Sequence, residues 1–137
     1  MTTHTIDLNQ LNNMPPIVKT IVKGNYTIRT LESEYLPNAD LKMRMYRSVI
    51  TNQTGEIVCI APAQSMTNDM FFHLCADGDM RITEIIEGTM VNLFWETDKW
   101  EIATKRSVGG NYHFFRNQYF PDLPEPEQKT FRQMFLE

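Results

Sequence analysis

Hydrophobic and polar positions are patterned most clearly between Thr89 and Lys105. Met90, Val91, Leu93, Phe94 and Trp95 form one apolar run, Trp100, Ile102 and Thr104 form another, and Glu96-Thr97-Asp98-Lys99 separates them. β-Branched and aromatic residues on either side of a polar turn predict a β-hairpin. In its second arm Trp100, Ile102 and Thr104 share one face, and Glu101, Ala103 and Lys105 share the other. An earlier segment follows the same logic. Met43, Met45, Ser48, Val49 and Ile50 run into Asn52-Gln53-Thr54-Gly55, Ile57, Val58, Cys59 and Ile60 leave it, and Pro62 ends the second strand. Ile82, Ile85 and Ile86 make a further short apolar run.

Helical signals are fewer. Thr67-Asn68-Asp69 caps a short helix carrying Met70, Phe71, Leu74 and Cys75, before Asp77-Gly78-Asp79 turns the chain. Phe131, Met134 and Phe135 recur at helical spacing, which predicts an amphipathic helix over Glu125–Leu136, after a loop punctuated by Pro121, Pro124 and Pro126. In the first forty residues apolar positions are scattered and Pro15-Pro16 interrupts any continuous helix; a short helix at Val18–Val22 or around Thr30–Tyr35 is expected, with Pro37–Asp40 as a loop. The sum is an α+β fold of antiparallel hairpins with short flanking helices, in one domain spanning 1–137. No strand–helix–strand alternation implies a parallel sheet.

Composition narrows the function classes. Thirteen Lys+Arg against 17 Asp+Glu give a net charge of -4, so no global basic field draws the chain to nucleic acid. No apolar run approaches the roughly 18 residues of a membrane helix, so no membrane partner is expected. The first residues lack the basic start and apolar core of a secretory signal. Two cysteines, Cys59 and Cys75, make no disulfide framework, and a reducing, intracellular setting (cytoplasm or virion) is the expectation.

Ordinary catalytic signatures are missing: the chain has no GxxxxGK[ST], GxGxxG, GxSxG or HExxH. Of the metal-ligating residue types only His73 and Cys75 lie close together, and they read as a satisfied histidine and a buried thiol, so no metal site is expected. Tyr112, Phe114, Phe115, Tyr119 and Phe120, interleaved with His113 and Arg116, read as core filling, since cations are too sparse there to track a phosphate backbone.

Two segments point further. One runs from Arg44-Met45-Tyr46-Arg47 through Thr54-Gly55 to Pro62-Ala63-Gln64-Ser65. The other comprises Glu84-Ile85-Ile86-Glu87-Gly88-Thr89, the hairpin, and Thr104-Lys105-Arg106-Ser107. Their order and spacing resemble the N-terminal half of the nucleotidyltransferase domain of phage-type RNA ligases, most of all the ligase-like proteins of large DNA viruses. The resemblance covers roughly Tyr46 to Gly110. It implies half of an ATP-grasp-like ligase domain, with later motifs falling beyond Glu137 if the chain is the first part of a longer protein.

In that family a lysine attacks the α-phosphate of ATP, an acidic residue two positions later orients the nucleotide, and downstream cations stabilise phosphate charge. Carried over, the acidic residue is Glu87, followed by Gly88 and Thr89; the downstream cations are Lys105 and Arg106, beside Ser107, and the upstream arginine is Arg47. The nucleophile position holds Ile85, whose alkyl side chain cannot form a phosphoramidate. A second register, in which Glu87-Gly88-Thr89-Met90-Val91 matches a later motif of the superfamily, fits the downstream Thr104–Ser107 spacing less well. The resemblance therefore implies a catalytically silent ligase-like module, a viral structural or binding component with no catalytic residue. The other reading is the N-terminal part of an active ATP-dependent RNA ligase, using ATP and Mg2+, with an amine such as Lys105 in place of the missing one. A protein partner on the apolar helix face of Phe131, Met134 and Phe135 is expected, with RNA as a further candidate partner.

Overall fold

The Gly24-Asn25 dipeptide turns the chain between strands β1 (Val18–Lys23) and β2 (Tyr26–Leu31) in a computed structural model that describes residues 17–75, 83–84, 88–112 and 129–137. Gly24 has φ +57°, which a residue without Cβ adopts at little cost. The two strands pair antiparallel along their whole length, Val18 opposite Leu31 and Lys23 opposite Tyr26. The helix expected at Val18–Val22 is therefore a strand: β2 supplies the hydrogen-bond partners that a lone five-residue helix would lack. The expected helix around Thr30–Tyr35 is likewise replaced, first by the end of β2 and then by a 3-10 turn over Ser33–Asn38 that takes in Pro37 and Asn38 of the predicted loop.

Asp40 then starts α1 (Leu41–Arg44), its carboxylate accepting the Met43 N–H at 2.7 Å. Met43 lies in this turn and Met45 is its C-cap, so neither belongs to the strand that the sequence predicts for them. The strand begins later, as β3 (Val49–Thr51), and pairs with β4 (Ile57–Ile60). Asn52 organises the turn between them. Its Oδ1 accepts from the Thr54 and Glu56 N–H groups at 3.1 and 3.0 Å and from the Thr54 hydroxyl at 2.7 Å. β2 pairs with β3, Ile28 opposite Ile50, giving a four-stranded antiparallel sheet in the order β1-β2-β3-β4.

The helix predicted after Thr67 is present as α2 (Asn68–Cys75), with the Thr67 hydroxyl accepting the Met70 N–H at 3.4 Å. The hairpin read at Thr89–Lys105 is present as β5 (Asn92–Glu96) and β6 (Lys99–Thr104), with Trp95 opposite Trp100. β7 (Ser107–Val108) completes a second antiparallel sheet in the order β5-β6-β7. The last helix, α3 (Phe131–Leu136), starts later than the sequence predicts. Thr130 and Gln133 form a reciprocal capping box, which fixes its first turn after Thr130. Residues 125–128, the Ile82–Ile86 run apart from Thr83 and Glu84, the Asp77–Asp79 turn and the aromatic stretch 113–120 lie outside the described residues.

The fold is thus α+β, with two antiparallel sheets and short helices. Ile28 and Ile50 of the first sheet pack in one buried cluster with Phe94 and Ala103 of the second. Tyr26 meets Phe94 edge-on, ring centroids 5.6 Å apart. Among the described residues no helix is long and apolar enough to cross a membrane.

Candidate functional site

Two separate turns carry the cations singled out by sequence, and both adjoin the end of β2 that leads to Glu32. Thr30, fully buried near the end of β2, donates its hydroxyl to the Arg47 carbonyl at 2.9 Å, and the Leu31 N–H donates to the Tyr46 carbonyl at 2.6 Å. These bonds lace the turn carrying Arg47 to the strand end that carries Glu32. Lys105 and Arg106 form the tight turn between β6 and β7, where Thr104 pairs with Ser107. Arg106 Nη2 lies 3.0 Å from Glu32 Oε2, and Lys19 Nζ, on the neighbouring strand β1, lies 3.6 Å from Glu32 Oε1.

Lys105 registers this surrounding charge. Its ammonium pKa is held below the ordinary lysine value by burial first and by Arg106 next; Glu32 opposes the shift and Arg47 adds to it. Lys19 and Arg106 thus pair with Glu32, while Lys105 lies within the electrostatic reach of Arg106, Arg47 and Glu32, a local excess of positive charge on a chain of net charge -4. Arg106 is half-exposed, so its pair with Glu32 is a surface ion pair of small net strength, and a phosphate could displace the carboxylate.

The remaining sequence-predicted site residues are less informative. Gly88 and Thr89 are exposed in the irregular segment before β5, and no hydrogen bond or ion pair joins them to the cation cluster. Glu87 and Ile85, the carried-over acidic residue and the replaced nucleophile, lie outside the described residues. Lys19 and Glu32 are what sequence reasoning missed, because their relevance arises only from strand pairing. Among the described residues no group of three or more His, Cys, Asp or Glu gathers in the manner of a metal site. Cys59 is a free, half-buried thiol whose pKa burial pushes up, so it is a poor nucleophile.

Comparison with models of protein families, with characterised proteins and with solved structures finds nothing that matches this chain.

Proposed function

We propose that this chain is a non-catalytic binding module, ligase-like in ancestry, whose Arg47, Lys105 and Arg106 receive the phosphate groups of a nucleotide or of an RNA end. The observation that carries this reading is that Arg47 and Arg106, from two distant stretches of sequence, both come within electrostatic reach of Lys105, with Glu32 paired to Arg106 beside them. Cations with few acidic neighbours are what a phosphate requires, and arginines add bidentate hydrogen bonds. The hydrocarbon at position 85 supports the absence of self-adenylation. A viral structural setting and a protein partner on the α3 face belong to the same reading; Met134, Phe135 and Leu136 are exposed there.

Titration with ATP in the presence of Mg2+ tests the proposal. The chain binds ATP without covalent change, and Lys105→Ala or Arg106→Ala weakens binding by about tenfold or more. Absence of ATP affinity in the folded chain refutes it.

One observation favours a second reading. The lowered pKa of Lys105, produced by burial and two arginines, is the environment an attacking amine needs. In that case Lys105 Nζ attacks the α-phosphate, pyrophosphate leaves, and intact-mass measurement finds one adenylate on a peptide containing Lys105. An unmodified mass after incubation with ATP and Mg2+ or Mn2+ decides for the non-catalytic module.

A further inference from the structure

The turn ends of three hairpins, at Lys23–Tyr26, at Asn52–Thr54 and at Glu96, Thr97 and Lys99, meet Val108, Gly109, Asn111 and Arg132 around an open cleft of about 740 Å3. That size falls within the roughly 300–1,000 Å3 of small-molecule sites. Neither Arg47, Lys105, Arg106 nor Glu32 lines it, so it is separate from the phosphate site proposed above.

The base of the cleft is rigidly built. Glu101 lies on the interior face of β6 with its side chain only 7% exposed, and it holds Lys99 at 2.7 Å and Arg132 at 3.1 Å. Arg132 also donates to the Trp100 carbonyl at 2.9 Å. Its backbone N–H donates to the Gly110 carbonyl at 3.0 Å, an approach so close that a Cβ on Gly110 would sit 3.2 Å from that nitrogen. At the rim Gln53 Nε2 donates to Asn25 Oδ1 at 2.9 Å, tying two of the turn ends together. Thr97, in the third turn, has φ +61°, strained for a β-branched residue, and the Asp98 N–H closes the turn onto the Glu96 carbonyl at 2.8 Å. Strain of this kind persists where the surroundings over-determine it, commonly beside ligands.

The lining selects a ligand class. Glu101 holds both cations, and an anion could claim Lys99 or Arg132 only in competition with a buried carboxylate that would lose one of its two partners, which is costly. What remains is the Tyr26 hydroxyl, the Asn111 amide and the polar groups of the rim, where one cation, Lys23, and one carboxylate, Glu96, leave no net charge. The Tyr26 hydroxyl makes no hydrogen bond among the described residues; burial and then Glu101 and Glu96 raise its pKa, which keeps the phenol protonated. Groups that donate and accept side by side match a ligand whose hydroxyls do the same. We infer that the cleft is a binding site for a neutral saccharide unit, held by Tyr26 and Asn111 above the Glu101–Arg132 pair.

A 15N-labelled chain titrated with glucose, galactose, mannose, N-acetylglucosamine and maltose, with inorganic phosphate as comparator, tests this. At least one sugar gives saturable shifts of millimolar affinity in the amides of Tyr26, Thr54 and Asn111. Tyr26→Phe and Asn111→Ala each weaken that affinity by about threefold to tenfold while the remaining resonances stay in place. The inference is overturned if none of the sugars gives a saturable shift. It is equally overturned if phosphate reproduces the same shifts more tightly, or if sugar perturbs only the indole N–H groups of Trp95 and Trp100, which lie on the other face of the sheet.

Discussion

Arg44 carries a formal charge into a position only 5% exposed, and its guanidinium is spent on three carbonyls: Ala39 at 3.1 Å, Ser65 at 2.7 Å and Leu36 at 2.7 Å. One side chain thereby ties α1 to the 3-10 turn before it and to the loop beyond β4. Arg44→Ala leaves those carbonyls without their donor and lowers stability by about 3 kcal/mol or more, read as a fall in the urea midpoint at unchanged slope. Ser48 is the reverse case. It is fully buried and its hydroxyl has no hydrogen-bond partner among the described residues, so Ser48→Ala raises stability by about 1 kcal/mol in the same measurement. Lys105 also sits at a cost. Because its folded pKa lies below its unfolded one, the unfolded chain holds more protons across the window just under the ordinary lysine value. Stability therefore rises with pH through that window, and below it the charged amine destabilises the fold in full. Lys105→Gln leaves the neutral-pH urea midpoint unchanged or higher while ATP affinity falls; a midpoint that drops makes Lys105 a structural residue instead.

Elements were readable where a turn residue and the strand pattern agreed. Asn52–Gly55 and Glu96–Lys99 marked their hairpins, and Thr67 marked α2. The β1–β2 hairpin carried a comparable signal in Gly24-Asn25, but Val18–Lys23 does not alternate cleanly, because as an edge strand it buries only Val18 fully. Met43 and Met45 misled in the other direction: their period of two fits a strand, yet the Asp40 cap and the Arg44 bonds put them in and beside a helical turn. The cations of the site were legible as types at a spacing, whereas Glu32 became relevant only through the register of β1 and β2 and the β6–β7 turn. Two substitutions probe how far local geometry holds these elements. Thr97→Gly relieves the positive φ and stabilises the β5–β6 hairpin by about 1 kcal/mol, the strain released exceeding the added entropy of glycine. Thr130→Ala removes the capping box of a six-residue helix that is too short to persist alone. Amide exchange at Met134 then accelerates while exchange at Ile28 does not.

At the scale of the molecule, the charge of -4 and the local cation cluster pull in opposite directions, and their balance predicts how phosphate ligands behave. On the proposed reading a mononucleotide reaches only the cluster and meets attraction. On the same reading a long RNA must also approach a chain of net negative charge, so added nucleotides beyond the end bring little further affinity. If Arg47, Lys105 and Arg106 each neutralise one phosphate of a single strand, the logarithm of the binding constant falls with the logarithm of salt concentration with a slope of about -2. A short 5′-phosphorylated RNA and a long one of the same end sequence should then bind with nearly equal affinity and the same shallow slope. A slope of roughly -5 or steeper for the longer strand would place many more phosphates on the protein than these three residues can meet. That result would move the nucleic-acid surface away from Glu32 and its cations.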